Sequence, residues 1–321
     1  MRCLPIVIFA VATLGAGVLP AFAAAPNPAE SRTFLSSGMQ KDNGGDFDGA
    51  IADYTRAVEL DPKNGLAYVR RGMAHDNKGE MEDAIKDYAA ALATKNMERD
   101  AEAVLYSMRA DTYLRQDMRK EAIADFDRAL AINPKLFQAN LGRGITRLMV
   151  GDFAKAQTDY EAALKERPDD AAALYGMGII AYWKQDWKTA ESRFTGLQKK
   201  SPDDPNVAIW AILSQRRNGK TVNATEYKTI NQAEWPGQVV AHLFGTDEPL
   251  EKFISEAEEH HDTNEPYFSC IGSFTSFSLA RIEKRVDIAH INDLQTTFQK
   301  CAELGLEGHI ALNEIKLLKA R

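Results

Sequence analysis

Arginine and aspartate recur in this chain at intervals that would suit acid–base chemistry. Arg71, Arg109 and Arg143 fall at corresponding points of successive segments, and so do Asp53, Asp87, Asp125 and Asp159. Such a row could be a set of proton-transfer pairs, or a ladder of ion pairs in which a planar guanidinium meets a carboxylate. Catalytic groups gather at one place, so a row repeated along the chain predicts the structural ladder. Spacing does not fix whether each arginine meets the aspartate of its own segment or of the one before. A second set, Glu256, Glu258, Glu259, His260, His261 and Asp262, carries metal-ligating groups. Adjacent histidines on a helix point apart and lack the i, i+4 geometry of helical zinc ligands, so a solvated helix end is the expected reading. There is no nucleophile elbow, no phosphate-cradling glycine loop and no spaced zinc motif. The chain is therefore expected not to be an enzyme, and to need no cofactor and no metal. The alternative is a metal-binding or catalytic role carried by residues 235–321.

The elements that must position these residues repeat. Pro134, Pro168 and Pro202 are 34 residues apart, and Pro62 precedes Pro134 by two such periods plus four. Aligned on that period, a small residue stands at position eight: Gly38, Gly72, Ala110, Gly144, Gly178. Alanine stands at position twenty: Ala50, Ala84, Ala122, Ala156, Ala190. An aromatic follows at twenty-four: Tyr54, Tyr88, Phe126, Tyr160, Phe194. The segments are 31–64, 65–98, 103–136, 137–170 and 171–204. A four-residue insertion at 99–102, about one helical turn, follows Asn96, which replaces the expected proline. Each segment reads as two helices. Gly44-Gly45, Gly79, Asp117, Gly151 and Gln185 mark the turns between them, and proline stops the second helix. Small residues at positions eight and twenty let the paired helices approach, and the aromatic fills the space beside them.

These spacings resemble the tetratricopeptide repeat family. The match covers 174 of the 321 residues. The resemblance implies an all-α fold: a superhelical solenoid of five repeats with a concave inner wall, followed by a smaller helical C-terminal region. In the family, positions two, five, nine, twelve and thirteen of the first helices line that wall. Here they run from Arg32, Leu35, Met39, Asp42 and Asn43 in the first repeat to an apolar, aromatic set in the last two. That set is Leu141, Ile145, Leu148 and Met149 in the fourth repeat, with Tyr175, Ile179, Tyr182 and Trp183 in the fifth. It is the expected partner-binding groove, since aromatic anchors dominate interface energy and apolar grooves take helices or extended peptides. The competing expectation is that the chain's own C-terminal helices fill it. Chaperone-binding members of the family clamp a C-terminal carboxylate with lysine, asparagine and arginine. Leu35 and Met39 stand where the lysine and asparagine would be needed, which excludes that activity.

The flanking segments set the compartment. Arg2, the uncharged run Leu4 to Leu19, and Ala21-Phe22-Ala23 read as a signal peptide over residues 1–23, with a mature start near Ala24 and no membrane insertion after cleavage. A periplasmic or secreted protein is expected. In such a compartment Cys270 and Cys301 are expected to form a disulfide; two buried free thiols are the alternative. A helix over 205–218 is expected to cap the last repeat, 219–234 reads as a polar linker, and 235–321 as the C-terminal helical region. The net charge of −7 argues against nucleic acid and anionic membranes. The partners expected are other proteins or peptides. Export signal, repeats, a Trp235-Pro236 segment and closing helices with two cysteines resemble the envelope tetratricopeptide adaptors of Gram-negative bacteria, of the NlpI kind, which tether proteases and cell-wall enzymes. This chain departs from them in having no lipid-attachment cysteine after the signal.

Overall fold

A computed structural model describes residues 26–231 and 237–244, together with Gln295, Gln299, Ile310 and Ala311. Ten helices form the five repeats as antiparallel pairs: α1 (Pro28–Asn43) with α2 (Phe47–Leu60), α3 (Gly65–Asn77) with α4 (Met81–Ala93), α5 (Arg99–Arg115) with α6 (Arg119–Ile132), α7 (Phe137–Met149) with α8 (Phe153–Glu166), and α9 (Ala171–Trp183) with α10 (Trp187–Lys200). Then come α11 (Pro205–Arg217), a 3-10 turn at Ala224–Tyr227 and α12 (Gly237–Leu243). No strand occurs among the described residues. The insertion lengthens α5 to 17 residues, against 13 for α3, α7 and α9.

The periodic residues explain why each element starts and stops. Asp46, Asp152 and Asp186 accept a backbone N–H of the second helix they precede, and Asn64, Asp170 and Asp204 cap the next first helix in the same way. Between paired helices the chain turns through one left-handed residue: Gly45, Gly79, Asp117, Gly151 or Gln185. Glycine takes that conformation without a steric penalty; Asp117 and Gln185 take it at φ of 58° and 60°. In each turn the N–H one residue beyond bonds back to a carbonyl five residues earlier, as Asp152 does to Arg147 at 2.8 Å.

The position-twenty alanines and the position-twenty-four aromatics are buried in all five repeats. The core is divided accordingly. One cluster joins repeat one to Ala67 of α3, a second joins repeat two to Leu105 of α5, and a third joins repeat three to Ala139 of α7. The fourth and largest runs from Phe137 through repeats four and five and α11 to Ile310 and Ala311. Each repeat thus completes its core with its neighbour, as a solenoid must.

Residues 219–231 are more than a polar linker. Val222, Tyr227 and Ile230 are buried against the last cluster, and the Tyr227 hydroxyl accepts a hydrogen bond from Gln215 Nε2 at 2.8 Å. Sparse apolar residues in a polar stretch give no periodic signal, so only tertiary packing reveals them. The signal segment 1–23, Cys270, Cys301 and the Glu256–Asp262 cluster lie outside the described residues.

Candidate protein-binding face

The arginine–aspartate row is a ladder within repeats. The Arg71 guanidinium is bidentate to Asp87 at 2.7 Å for both bonds, Arg109 grips Asp125 at 2.6 and 3.0 Å, and Arg143 meets Asp159 at 2.6 Å. Two of these arginines also reach back to position twenty-five of the preceding repeat: Arg71 to Thr55 Oγ1 at 3.1 Å and Arg143 to Asp127 at 2.6 Å. A basic side chain at position eleven stands beside the same carboxylate. Lys41 pairs with Asp53 at 2.7 Å and Arg147 with Asp159 at 2.7 Å, while His75 Nε2 stands 3.9 Å from Asp87. Hydrogen bonds from Arg71 to Asp87, and from Arg109 and Arg143 to their aspartates against the pull of burial, hold these guanidiniums above their ordinary pKa. Every pair ties two helices together. Repeat five, with Met177 and Arg193, has no counterpart.

The first helices carry the positions expected to line the concave wall, and α5 and α9 both pack against α7 there. At position two, Arg32, Leu66, Val104, Gln138 and Ala172 are all exposed, Leu66 by 50% and Val104 by 44%. In the fourth and fifth repeats the eight expected residues divide into two layers. Leu141, Ile145, Met149, Tyr175 and Trp183 are half-buried and reach the surface. Leu148, Ile179 and Tyr182 are buried, so they support the wall and present no surface to a partner. The cause is local packing. Trp187 and Trp210 set their ring edges against Tyr182, each at 5.0 Å, and its hydroxyl accepts from Arg217 Nε at 3.3 Å. Trp210 belongs to α11, which the sequence placed only as an end cap.

The wall of the first three repeats is chemically different. Asp42, Asp76 and Asp111 stand among Met39, Val69, Met73 and Leu114. Asp76 is paired with Arg115, and Asp42 lies 3.5 Å from the Tyr54 hydroxyl. Crowding by its neighbours, opposed by Arg115 and reinforced by the like charge of Asp76, pushes the Asp111 carboxyl up to about 6, although Asp111 itself is exposed. Among the described residues no group of three or more His, Cys, Asp or Glu side chains could hold a metal ion, and no helix is long and apolar enough to cross a membrane.

Paired helices of fixed period, a core shared between neighbours and an open face on the first helices define a helical-repeat solenoid. Profiles of the tetratricopeptide repeat match residues 41–101, 103–136 and 147–209, and the chain belongs to that family. No curated protein matches it in sequence. Among solved structures it resembles a tetratricopeptide repeat protein from Parabacteroides merdae, with 16% identity over 89% of this chain and 99% of that one and a TM-score of 0.53. It also resembles PilF of Pseudomonas aeruginosa, with 16% identity over 68% and 98% and a TM-score of 0.57. PilW, a type IV pilus biogenesis factor, matches at 23% identity over 64% and 94%, with a TM-score of 0.52. These likenesses show the fold.

Proposed function

We propose that this chain is an exported, non-catalytic adaptor of the bacterial envelope that holds protein or peptide partners on the concave face of its repeats. One observation carries the reading. On α7 and α9, Leu141, Ile145, Met149, Tyr175 and Trp183 put five large apolar or aromatic side chains at the surface of neighbouring repeats. Partly exposed aromatics with a buried layer beneath them are the makings of an interface hot spot. The envelope location rests on the signal-like residues 1–23, and a tethering role on the resemblance to envelope adaptors.

The test is crosslinking in the native envelope followed by recovery of the tagged protein. Leu141→Ser with Met149→Ser should weaken capture of the bound partner by roughly 2 kcal/mol, with little change in melting temperature. Arg32→Ala, at the polar end, should capture as wild type does. The mature protein should start near Ala24 and be released by osmotic shock. Unchanged capture by the double variant would move the partner site off this face, and an intact Met1 would overturn export.

A further inference from the structure

Position nine of the first helices forms a row along the concave wall: Met39, Met73, Asp111, Ile145, Ile179. Four members are apolar, and the middle one is a carboxylate. Asp111 enters no ion pair among the described residues. Its nearest cation, Arg115, lies one helical turn along α5 and is spoken for by Asp76. The titratable or charged groups that act on it are Asp76 from α3, Tyr88 from α4 and Arg115 from α5 itself; none from α6 or α7 contributes to its shift among the described residues. Met73 and Ile145, its row neighbours in repeats two and four, are half-buried and reach the same face. An exposed carboxylate in a row of otherwise apolar positions, its charge unmatched, gains from a cation that a docking partner sets against it.

The geometry points to Asp111 as a selectivity residue for a cationic side chain, on a partner segment that sets a lysine or arginine between two apolar residues. The partner's apolar side chains would lie on Met73 and Ile145, and its ammonium or guanidinium would close the charge that α5 leaves open. In an extended segment, side chains two residues apart share one face, so the pattern is apolar-x-basic-x-apolar. This rests on the docking face proposed above and specifies the chemistry it selects.

The full mature chain and two short, blocked, fluorescein-labelled peptides provide the test by anisotropy. One peptide carries lysine with leucine two residues to either side. Its twin carries norleucine in place of lysine, which keeps the stem and removes the ammonium. The lysine peptide should bind about tenfold more tightly or better, the range for a hydrogen bond to a charged group. Asp111→Asn should abolish that preference, and lowering the pH from 7 to 5, through the titration of Asp111, should erode it in the wild type. Asp111→Asn should stay folded. Because the wild-type carboxyl is raised in the folded state, its stability relative to this variant should fall as pH rises from about 4 to about 6. Equal affinity for the twins, a lysine preference kept by Asp111→Asn, or no binding of either peptide overturns the inference. The docking face itself stands or falls separately, on capture by the Leu141→Ser, Met149→Ser variant.

Discussion

The indole of Trp183 lies flat on the ring of Phe153, with centroids 4.6 Å apart and planes 14° from parallel. Trp183 ends α9 and Phe153 begins α8, so the stack joins repeats four and five at their turn edge. Tyr182, the next residue back, is 1% exposed and fixed by Trp187, Trp210 and Arg217. Tyr182 is a core residue, while the stack on Phe153 holds the half-buried Trp183 in place with part of its surface open. Tyr182→Ala should therefore lower the unfolding free energy by roughly 3–5 kcal/mol, the usual cost of emptying a buried aromatic site. Trp183→Ala should lose at least the ~0.5–1.5 kcal/mol of an aromatic stack. Urea unfolding measures both. A Tyr182→Ala protein as stable as wild type would show that α11 does not pack as described.

Two glycines should respond in opposite ways to the same substitution. A Cβ on Gly176 would lie 2.3 Å from Tyr160 Cζ, inside the contact between α9 and the aromatic of repeat four. Gly196, within α10, is exposed and has nothing within 4 Å of that point. Gly176→Ala should cost roughly 1–3 kcal/mol by overpacking. Gly196→Ala should gain about 0.5–1 kcal/mol, because the unfolded chain loses freedom that the helix does not use. Thermal unfolding shifts of the same sign in both variants would refute the packing.

Much of this was legible in the residues. The period gave the ten repeat helices, and the marked turn residues Gly45, Gly79, Asp117, Gly151 and Gln185 are the left-handed ones. The small residues at position eight face the aromatic at twenty-four of their own repeat, as Gly72 does with Tyr88. What escaped notice had no constant residue type to reveal it. Position eleven is Lys41, His75 and Arg147, three different basic side chains at one place. Contacts to the previous repeat go to Thr55 in one case and Asp127 in another. Gly142 and Gly176 lie under the preceding repeat's aromatic ring, where repeats two and three have Arg70 and Met108. The burial of Tyr182 depends on a helix outside the repeats, so no alignment of the repeats could show it.

Arg143 is the junction of the ladder, with Asp159 of its own repeat on one side and Asp127 of the preceding repeat on the other. Asp159 is 1% exposed, and Arg147 is its remaining cation if Arg143 is removed. Arg143→Met keeps the stem and deletes the charge. It should cost roughly 1–3 kcal/mol, the penalty for leaving a buried polar group short of partners, and less than the ~3–5 kcal/mol of a buried charge stripped of its only partner. Arg143→Met and Asp159→Asn break the same ion pair, so the double variant should lose less than the two single losses added together. A double variant less stable than the sum of the two single ones would contradict the pairing, and chemical denaturation of the four proteins decides it.

The last prediction concerns α11. Nine consecutive residues, Val207 to Gln215, are buried, so the helix has no solvent face along that stretch. A helix covered all round lies inside a protein and does not cap one. On one side Trp210 stacks on Phe194 with centroids 5.8 Å apart and meets Tyr182 edge-on. The same cluster takes in Val222, Tyr227, Ile230, Val239, Val240 and Leu243, together with Ile310 and Ala311 from near the end of the chain. A chain ended after Asn218 keeps α11 and loses all of these. It should bind a hydrophobic dye, associate on a sizing column and melt at a lower temperature than the full mature protein. Repeats one and two close their cores with α3 and α5 and do not touch that cluster. Hydrogen exchange in α2 and α4 should therefore match the full chain, while exchange in α10 and α11 quickens, because repeat cores communicate mainly with their neighbours. A truncated protein that stays monomeric, binds no dye and protects α11 as before would show that residues 219–321 are not needed to cover it.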